Sequence, residues 1–337
     1  MSDTMQRTMH TLPRRYAGMT LIELMVALAI GAFLMIGAVR VFMQGRTTFK
    51  ITESISRLQE NARFALDALE PDIRMAHYFG LTARETKIAN RAGPTDPNGL
   101  GADTCGVNWL IDFDNSIQAT NGSTPWPWAC GAFTGAATNA DTLVVRRVAQ
   151  DVTLPAALQA GQLYIHSARF VDAQIFQGPP VPGGFNPATS ETHAVVVNGY
   201  YIDNQSSLGP NIPSLRRKVL RSTGAIDDEE VLPGVEDMQI QLGLDMDATG
   251  QPNRGSIDRY VNPGDPIITP GSASFDPNAQ ILAVRIWLRI RAEHIENGFT
   301  DSAVYQYADQ NVGPFNDPFR RLVISKTIYL RNARPPA

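Results

Sequence analysis

The run from Met19 to Val39 constrains this chain more than any other feature: 21 residues carrying one charge, closed by Arg40. As a helix it is long enough to cross the roughly 30 Å hydrocarbon layer of a membrane. The 18 residues before it are polar and basic, with Arg7, Arg14 and Arg15 against Asp3, and they end in Arg14-Arg15-Tyr16-Ala17-Gly18. Such a flank is retained in the cytoplasm, so the rest of the chain is expected on the outer face of the membrane. A secretory signal places its small cleavable residues after the apolar stretch. Here Gly18 precedes it. Glu23 is the single carboxylate inside the run, and at that depth a carboxylate is costly unless a cation meets it. An ordinary signal anchor with its glutamate near the interface accounts for the run, but it gives Gly18 no role.

The heptapeptide Gly18-Met19-Thr20-Leu21-Ile22-Glu23-Leu24, followed by the apolar residues to Val39, resembles the type III signal of type IV prepilins and type II secretion pseudopilins. The resemblance implies cleavage after Gly18 by a membrane aspartic prepilin peptidase and N-methylation of Met19. It also implies that Glu23 pairs with the N-terminal amine of a neighbouring subunit. The physics agrees, because a buried carboxylate needs a cation and an identical helix displaced along a fibre supplies one.

Past the membrane run the helical pattern continues. Ile51, Ile55, Leu58, Ala62, Ala65 with Leu66, Leu69 and Ile73 fall at steps of four and three, an apolar stripe suited to packing on a sheet. Pro71 is expected to kink the helix or to start a short segment over 72–77, and Gly80 to end it. Beyond it the period changes to alternation. Candidate strands are Thr142–Val148, Gln162–Phe170, His193–Ile202, Lys218–Arg221, Met238–Leu244, Ala283–Arg291 and Leu322–Leu330, the last read as well buried. Strands separated by loops favour antiparallel pairing. The 50 Gly and Pro residues cluster in the intervening loops, and no 20–50-residue repeat suggests a solenoid. The expected organisation is a leader over 1–18, a transmembrane or filament-core helix over 19–43, an amphipathic helix over 44–80 and a periplasmic β-rich domain over 81–337. The expected fold class is α+β, a long N-terminal helix packed on an antiparallel sheet with large loop insertions.

Four segments in chain order, Asp72-Ile73-Arg74-Met75-Ala76, Leu232-Pro233-Gly234-Val235-Glu236-Asp237-Met238, Val284-Arg285-Ile286-Trp287-Leu288 and Thr327-Ile328-Tyr329-Leu330-Arg331-Asn332, are similar to the PilW family of minor pilins. The loops over 85–135 and 175–190 are the least familiar part. Related sequences often carry a cysteine after the helix-ending glycine, where Leu81 stands here. The resemblance implies a low-copy subunit that primes pilus assembly with other minor pilins, a PilY-type tip adhesin, the major pilin and the inner-membrane assembly platform, supporting twitching motility and adhesion. A J-like minor pseudopilin of type II secretion shares the N-terminal signal. A DNA-uptake receptor is a further alternative, through Arg216, Arg217, Lys218 and Arg221 or the row Arg285, Arg289 and Arg291. The net charge argues against nucleic acid as the main partner: a whole-chain −4 with +2 in the first 18 residues leaves −6 downstream.

Cys105 and Cys130 are open to two readings, free thiols or a disulfide. Export to an oxidising compartment favours the second, which closes a loop worth about 3 kcal/mol. Asp245-Met246-Asp247-Ala248-Thr249-Gly250 approaches the opening of a calcium loop, with Asp245, Asp247, Thr249, Gln251 and Asp258 as candidate ligands. Against it, Ser256 holds the position of the bidentate glutamate, and an acidic hairpin loop reads equally from these residues. Trp126 and Trp128, beside Cys130, could form an exposed binding patch or fold inward as a small core. The five histidines are scattered, and no motif for a nucleotide, a hydrolytic nucleophile or paired catalytic carboxylates occurs. An enzyme is not expected, and no cofactor beyond possible calcium is required.

Overall fold

The computed structural model describes residues 18–82, 85–91, 102–103, 105–122, 126–169, 172–248 and 250–333. One helix, α1, runs from Leu21 to Arg74. The chain divides into two compact units, at Glu53 and Ser54. In the first unit every described residue up to Lys50 is exposed, Phe33 at 82%. In the second, the helix buries Leu58, Ala62, Ala65, Leu66, Leu69 and Ile73. Ile51 is only half-buried and Ile55 is exposed, so the buried stripe starts later than the spacing suggests. Amphipathic spacing marks a face; burial also needs a sheet opposite it.

Pro71 starts no new segment. The helix runs through it and stops at Arg74, so the hydrogen bond that proline forfeits falls in the last turn, where little helix remains to be broken. His77 takes the left-handed conformation (φ 62°) that closes the turn. Gly80 lies past the helix end and serves a different purpose. It has φ +79°, and a Cβ there would come within 2.7 Å of Ser167 Oγ and 2.9 Å of His193 Cδ2.

The strands are β1 (Ile88–Ala89), β2 (Ala102–Asp103), β3 (Gly106–Val107), β4 (Ile117–Thr120), β5 (Thr142–Val152), β6 (Leu163–Ala168), β7 (Ala173–Gln177) and β8 (Ser190–Asp203). They continue with β9 (Ser214–Leu220), β10 (Ile226–Pro233), β11 (Val235–Asp245), β12 (Arg259–Val261), β13 (Gln280–Arg291), β14 (Tyr305–Tyr307), β15 (Gln310–Val312) and β16 (Arg321–Tyr329). Eight of them form one sheet, β1-β7-β6-β8-β5-β4 with β9 and β10 added beside β8. The 14-residue β8 is its spine: β5 lies along one edge, while β6 and β9 share the other. Pairing is antiparallel except between β1 and β7. A second sheet runs β12-β11-β13-β16, all antiparallel.

The helix stripe packs into a core shared by both sheets, with Leu143, Val145 and Tyr200 from the first and Leu242, Val284, Ile286 and Ile328 from the second. The opposite face of the first sheet carries a second core around Trp109, Phe113, Trp126, Val144, Val197 and Tyr201. Buried on both faces, β5 therefore reads Thr-Leu-Val-Val without alternation. In β13 the expected division holds, with Val284, Ile286, Leu288 and Ile290 inward and the arginines on the other face. The strand β16, expected to be well buried, is an edge paired only with β13; Leu322 and Ile324 are half-buried and Tyr329 is 63% exposed. Phe170, the expected end of one strand, lies outside the described residues. The expected strands over 142–148, 162–170, 193–202, 218–221, 238–244 and 283–291 all have counterparts. The acidic β10 does not appear among them, because Asp227-Asp228-Glu229-Glu230 reads as a solvated loop.

Candidate functional site

Gly18 to Thr20 lead directly into α1. A Cβ built on Gly18 meets nothing within 4 Å, so the glycine is not demanded by packing within the chain. Glu23 has a local role that its charge alone does not suggest. Its Oε2 accepts the Thr20 N–H (3.0 Å) and the Thr20 hydroxyl (3.0 Å), while its own N–H donates to Thr20 Oγ1 (3.3 Å). This is a capping box, which satisfies two of the amides a helix start leaves bare. Its signature, Thr20-x-x-Glu23, stands in the sequence but is masked by the oddity of an acid in an apolar run. Only Oε2 is engaged in these bonds.

At the other end of the helix, Asp72 is buried and accepts four hydrogen bonds. Arg147 Nε and Nη2 donate at 3.0 and 2.6 Å, Asn198 Nδ2 at 2.6 Å and Tyr200 Oη at 2.5 Å. Burial and the adjacent carboxylate push the Tyr200 hydroxyl pKa upward, so it stays protonated and donates. Lys326 of β16 meets Glu70 (2.5 Å) and Asp67 (3.4 Å), two and five residues before Asp72. The helix end is thereby tied to β5 and β8 of the first sheet and to β16 of the second.

Cys105 and Cys130 form a disulfide. Trp126 folds inward: it is buried, donates Nε1–H to the Cys130 carbonyl (2.6 Å) and stands 4.7 Å from the rings of Tyr201 and Trp128. Gly199 makes room for it, since a Cβ there would lie 2.8 Å from Trp126 Cη2 and 3.1 Å from Trp109 Cζ2. The tryptophan pair is the core of its loop.

Of the five candidate calcium ligands, three come together: Asp245, Asp247 and Asp258 place carboxylate oxygens within 4.8 Å of one another. Thr249 lies outside the described residues, and the Gln251 carbonyl accepts the Arg254 N–H (3.2 Å). Asp245 already accepts the N–H of Asp247 (2.9 Å) and of Gly255 (2.7 Å), and Arg254 Nε lies 3.6 Å from it. Asp258 accepts the Met246 N–H (2.7 Å). Calcium takes six to eight oxygens; this set offers three carboxylates with a guanidinium already beside them, a partial fit.

The basic cluster is neutralised by the strand the sequence hides. Arg216 pairs with Asp228 and Glu230, Arg217 with Glu229, Lys218 with Asp228, and Arg221 with Asp227 and Glu229. Four cations face four carboxylates of β10, which leaves no positive patch for a phosphate backbone. Arg289 and Arg291 both reach Glu236. Asp141 is buried and accepts the N–H of Gly122 and of Ile240, both at 2.8 Å. Burial pushes its pKa up to about 8, against the pull of those two amides.

A capped apolar helix of 54 residues, its last turns buried against antiparallel sheets, is the build of a type IV pilin. The prokaryotic N-terminal methylation motif matches residues 13–39, and the family described as Type IV Pilus-assembly protein W matches residues 199–332. By these two matches the chain is similar to the pilins of the type IV pilus PilW family, which is structural rather than enzymatic. A comparison with curated proteins gives no match. Among solved structures, a type IV-like pilin from Thermus thermophilus is similar at 12% identity and a TM-score of 0.35, over 82% of this chain and 100% of that one.

Proposed function

We propose that the chain is a low-copy minor pilin that primes pilus assembly and sits at or near the tip with other minor pilins and a PilY-type adhesin. The observation that carries this is the exposed apolar half of α1. Leu21 to Lys50 are uncovered by the chain itself, and so much apolar surface needs lipid first and neighbouring helices afterwards. Prepilin peptidase cuts after Gly18, where nothing in the fold requires a glycine, and Met19 becomes the methylated N-terminus. Before assembly the N-terminus is cytoplasmic and residues 81–337 are periplasmic. Cleavage removes 18 of 337 residues and leaves 319, bulky for a repeating lattice and better accommodated where lateral neighbours are few. The Cys105–Cys130 disulfide fits an oxidising compartment. The match to a pilus-assembly family favours the pilus over a J-like pseudopilin of type II secretion.

The test is an in-frame deletion complemented by the unaltered gene, scored by electron microscopy of surface pili and by twitching-zone diameter. Loss of pili on deletion and their return on complementation are expected. Normal piliation and motility in the deletion strain would sink the priming role.

A further inference from the structure

On the outer face of the second sheet, the Arg285 guanidinium meets no carboxylate among the described residues. On the β12 side Tyr260 pairs with Gly243, Gly243 with Ala283, and Ala283 with Tyr329; one row along, Gln241 pairs with Arg285 and Arg285 with Thr327. Gly243 and Ala283 keep the floor low. A Cβ on Gly243 would meet Tyr260 Cε1 at 3.0 Å, so the missing side chain is what lets the tyrosine ring lie across the sheet. Arg285 stacks on that ring with Cζ 3.6 Å from its centroid, reaches 5.8 Å from the Trp287 ring, and donates Nε–H to Thr327 Oγ1 (3.1 Å).

Three groups therefore fix the guanidinium, and none of them is an anion. Among the described residues, every other half-buried or buried arginine or lysine of the β-strands meets a carboxylate, or carbonyl oxygens in the case of Arg146. Arg285 makes no such bond, and its terminal nitrogens keep the planar fork that grips a carboxylate bidentately. Beside it runs a line of side-chain amides. Gln241 Nε2 donates to Asn262 Oδ1 (3.1 Å), and Asn262 Nδ2 donates to exposed Asp309 Oδ2 (2.9 Å).

We propose that this face binds an acidic saccharide, with a uronate carboxylate on Arg285 and sugar hydroxyls on the amide line. Hydroxyls donate and accept at once, and so do amides; the apolar C–H face of a pyranose fits the aromatic floor. An acidic peptide would use the cation but has no need of the amide line or of a floor kept flat by Gly243. The site is independent of the assembly role of α1.

The experiment is isothermal titration of the full chain in detergent micelles with hexagalacturonate at low salt. Maltohexaose serves as the uncharged control and hexaglutamate as the charged control without rings. Hexagalacturonate is expected to bind, with both controls at least about tenfold weaker. Arg285→Gln is expected to weaken hexagalacturonate by about tenfold or more, and Arg285→Lys by less, since it keeps the charge and loses the fork. Gly243→Ala is expected to weaken it with every charge intact, by displacing Tyr260. Unchanged circular dichroism is checked for each variant, and a variant that misfolds is replaced by Thr327→Val, which frees Arg285 Nε. No binding of hexagalacturonate, or equal affinity in Arg285→Gln, overturns the proposal. Equal binding of hexaglutamate overturns it in favour of an acidic protein partner.

Discussion

Glu23 caps the helix; we propose that it also pairs with the amine of a neighbouring subunit, and paired substitutions separate the two roles. Glu23→Gln keeps an oxygen that accepts the Thr20 N–H and hydroxyl, both now at 3.0 Å, and glutamine serves well in a capping box. Its cost to the helix start is small. Thr20→Ala does the reverse: it removes the hydroxyl that accepts the Glu23 N–H, costs about 0.5–2 kcal/mol of helix stability, and leaves the carboxylate in place. For assembly the order inverts. Leaving an amine buried without its carboxylate costs about 3–5 kcal/mol, or roughly two to four orders of magnitude in each docking equilibrium. The assay complements a deletion strain with each variant and compares subunit in sheared pili with subunit in membranes by immunoblot. Thr20→Ala is expected to enter pili within a few-fold of the unaltered chain, and Glu23→Gln to remain in the membrane. Incorporation of Glu23→Gln at the unaltered level would refute the pairing. An equal defect in both variants would mean that the cap, not the charge, is what assembly needs.

Four further outcomes follow from named contacts. Asp72→Ala strands the Arg147 cation, whose side chain is only 18% exposed, and is expected to cost about 3–5 kcal/mol in urea unfolding; a loss under about 1 kcal/mol would show the junction to be dispensable. Replacing Cys105 and Cys130 with serine is expected to cost about 3 kcal/mol, and unfolding unchanged between that variant and the oxidised chain would contradict this. Asp141 holds its proton in the folded state up to a pKa of about 8, against 3.8 for an ordinary aspartate. Its contribution is therefore complete below pH 4 and lost as pH rises toward 8. The stability difference between the unaltered chain and Asp141→Asn should fall by at most about 1.4 kcal/mol per pH unit across that window; a flat difference from pH 5 to 8 would refute it. At Asp245, Asp247 and Asp258 calcium must compete with Arg254, so 1 mM calcium is expected to raise the Tm of Arg254→Ala more than that of the unaltered chain; equal shifts would exclude the competition.

What the sequence made legible was local. The apolar start of α1, the helix stripe from Leu58 and the arginine face of β13 all follow from spacing within one element. What stayed hidden depends on partners far along the chain. The strand β10 looks like a solvated acidic loop until Arg216, Arg217 and Lys218 of β9, with Arg221 just past its end, are placed across from it. The edge position of β16 cannot be seen in its own residues, since an apolar strand reads the same in the middle of a sheet. The calcium-like motif pointed to three carboxylates that lie together, Asp245, Asp247 and Asp258, but could not show Arg254 beside them.

Asp72 shows the same limit and explains the shape of the helix end. Negative charge at a helix C-terminus opposes the macrodipole, and the last turns of α1 hold three acids, Asp67, Glu70 and Asp72. Alone they would fray that end, most of all beside Pro71, which removes a backbone bond there. Each sheet answers with one cation: Arg147 from β5 takes Asp72, and Lys326 from β16 takes Glu70 and Asp67. Within the helix Arg63 stands 4.0 Å from Asp67 and Arg74 3.7 Å from Glu70, exposed pairs of small worth, so the sheets supply the stronger share. Acids that would be faults in an isolated helix act here as its attachment points, one set for each sheet.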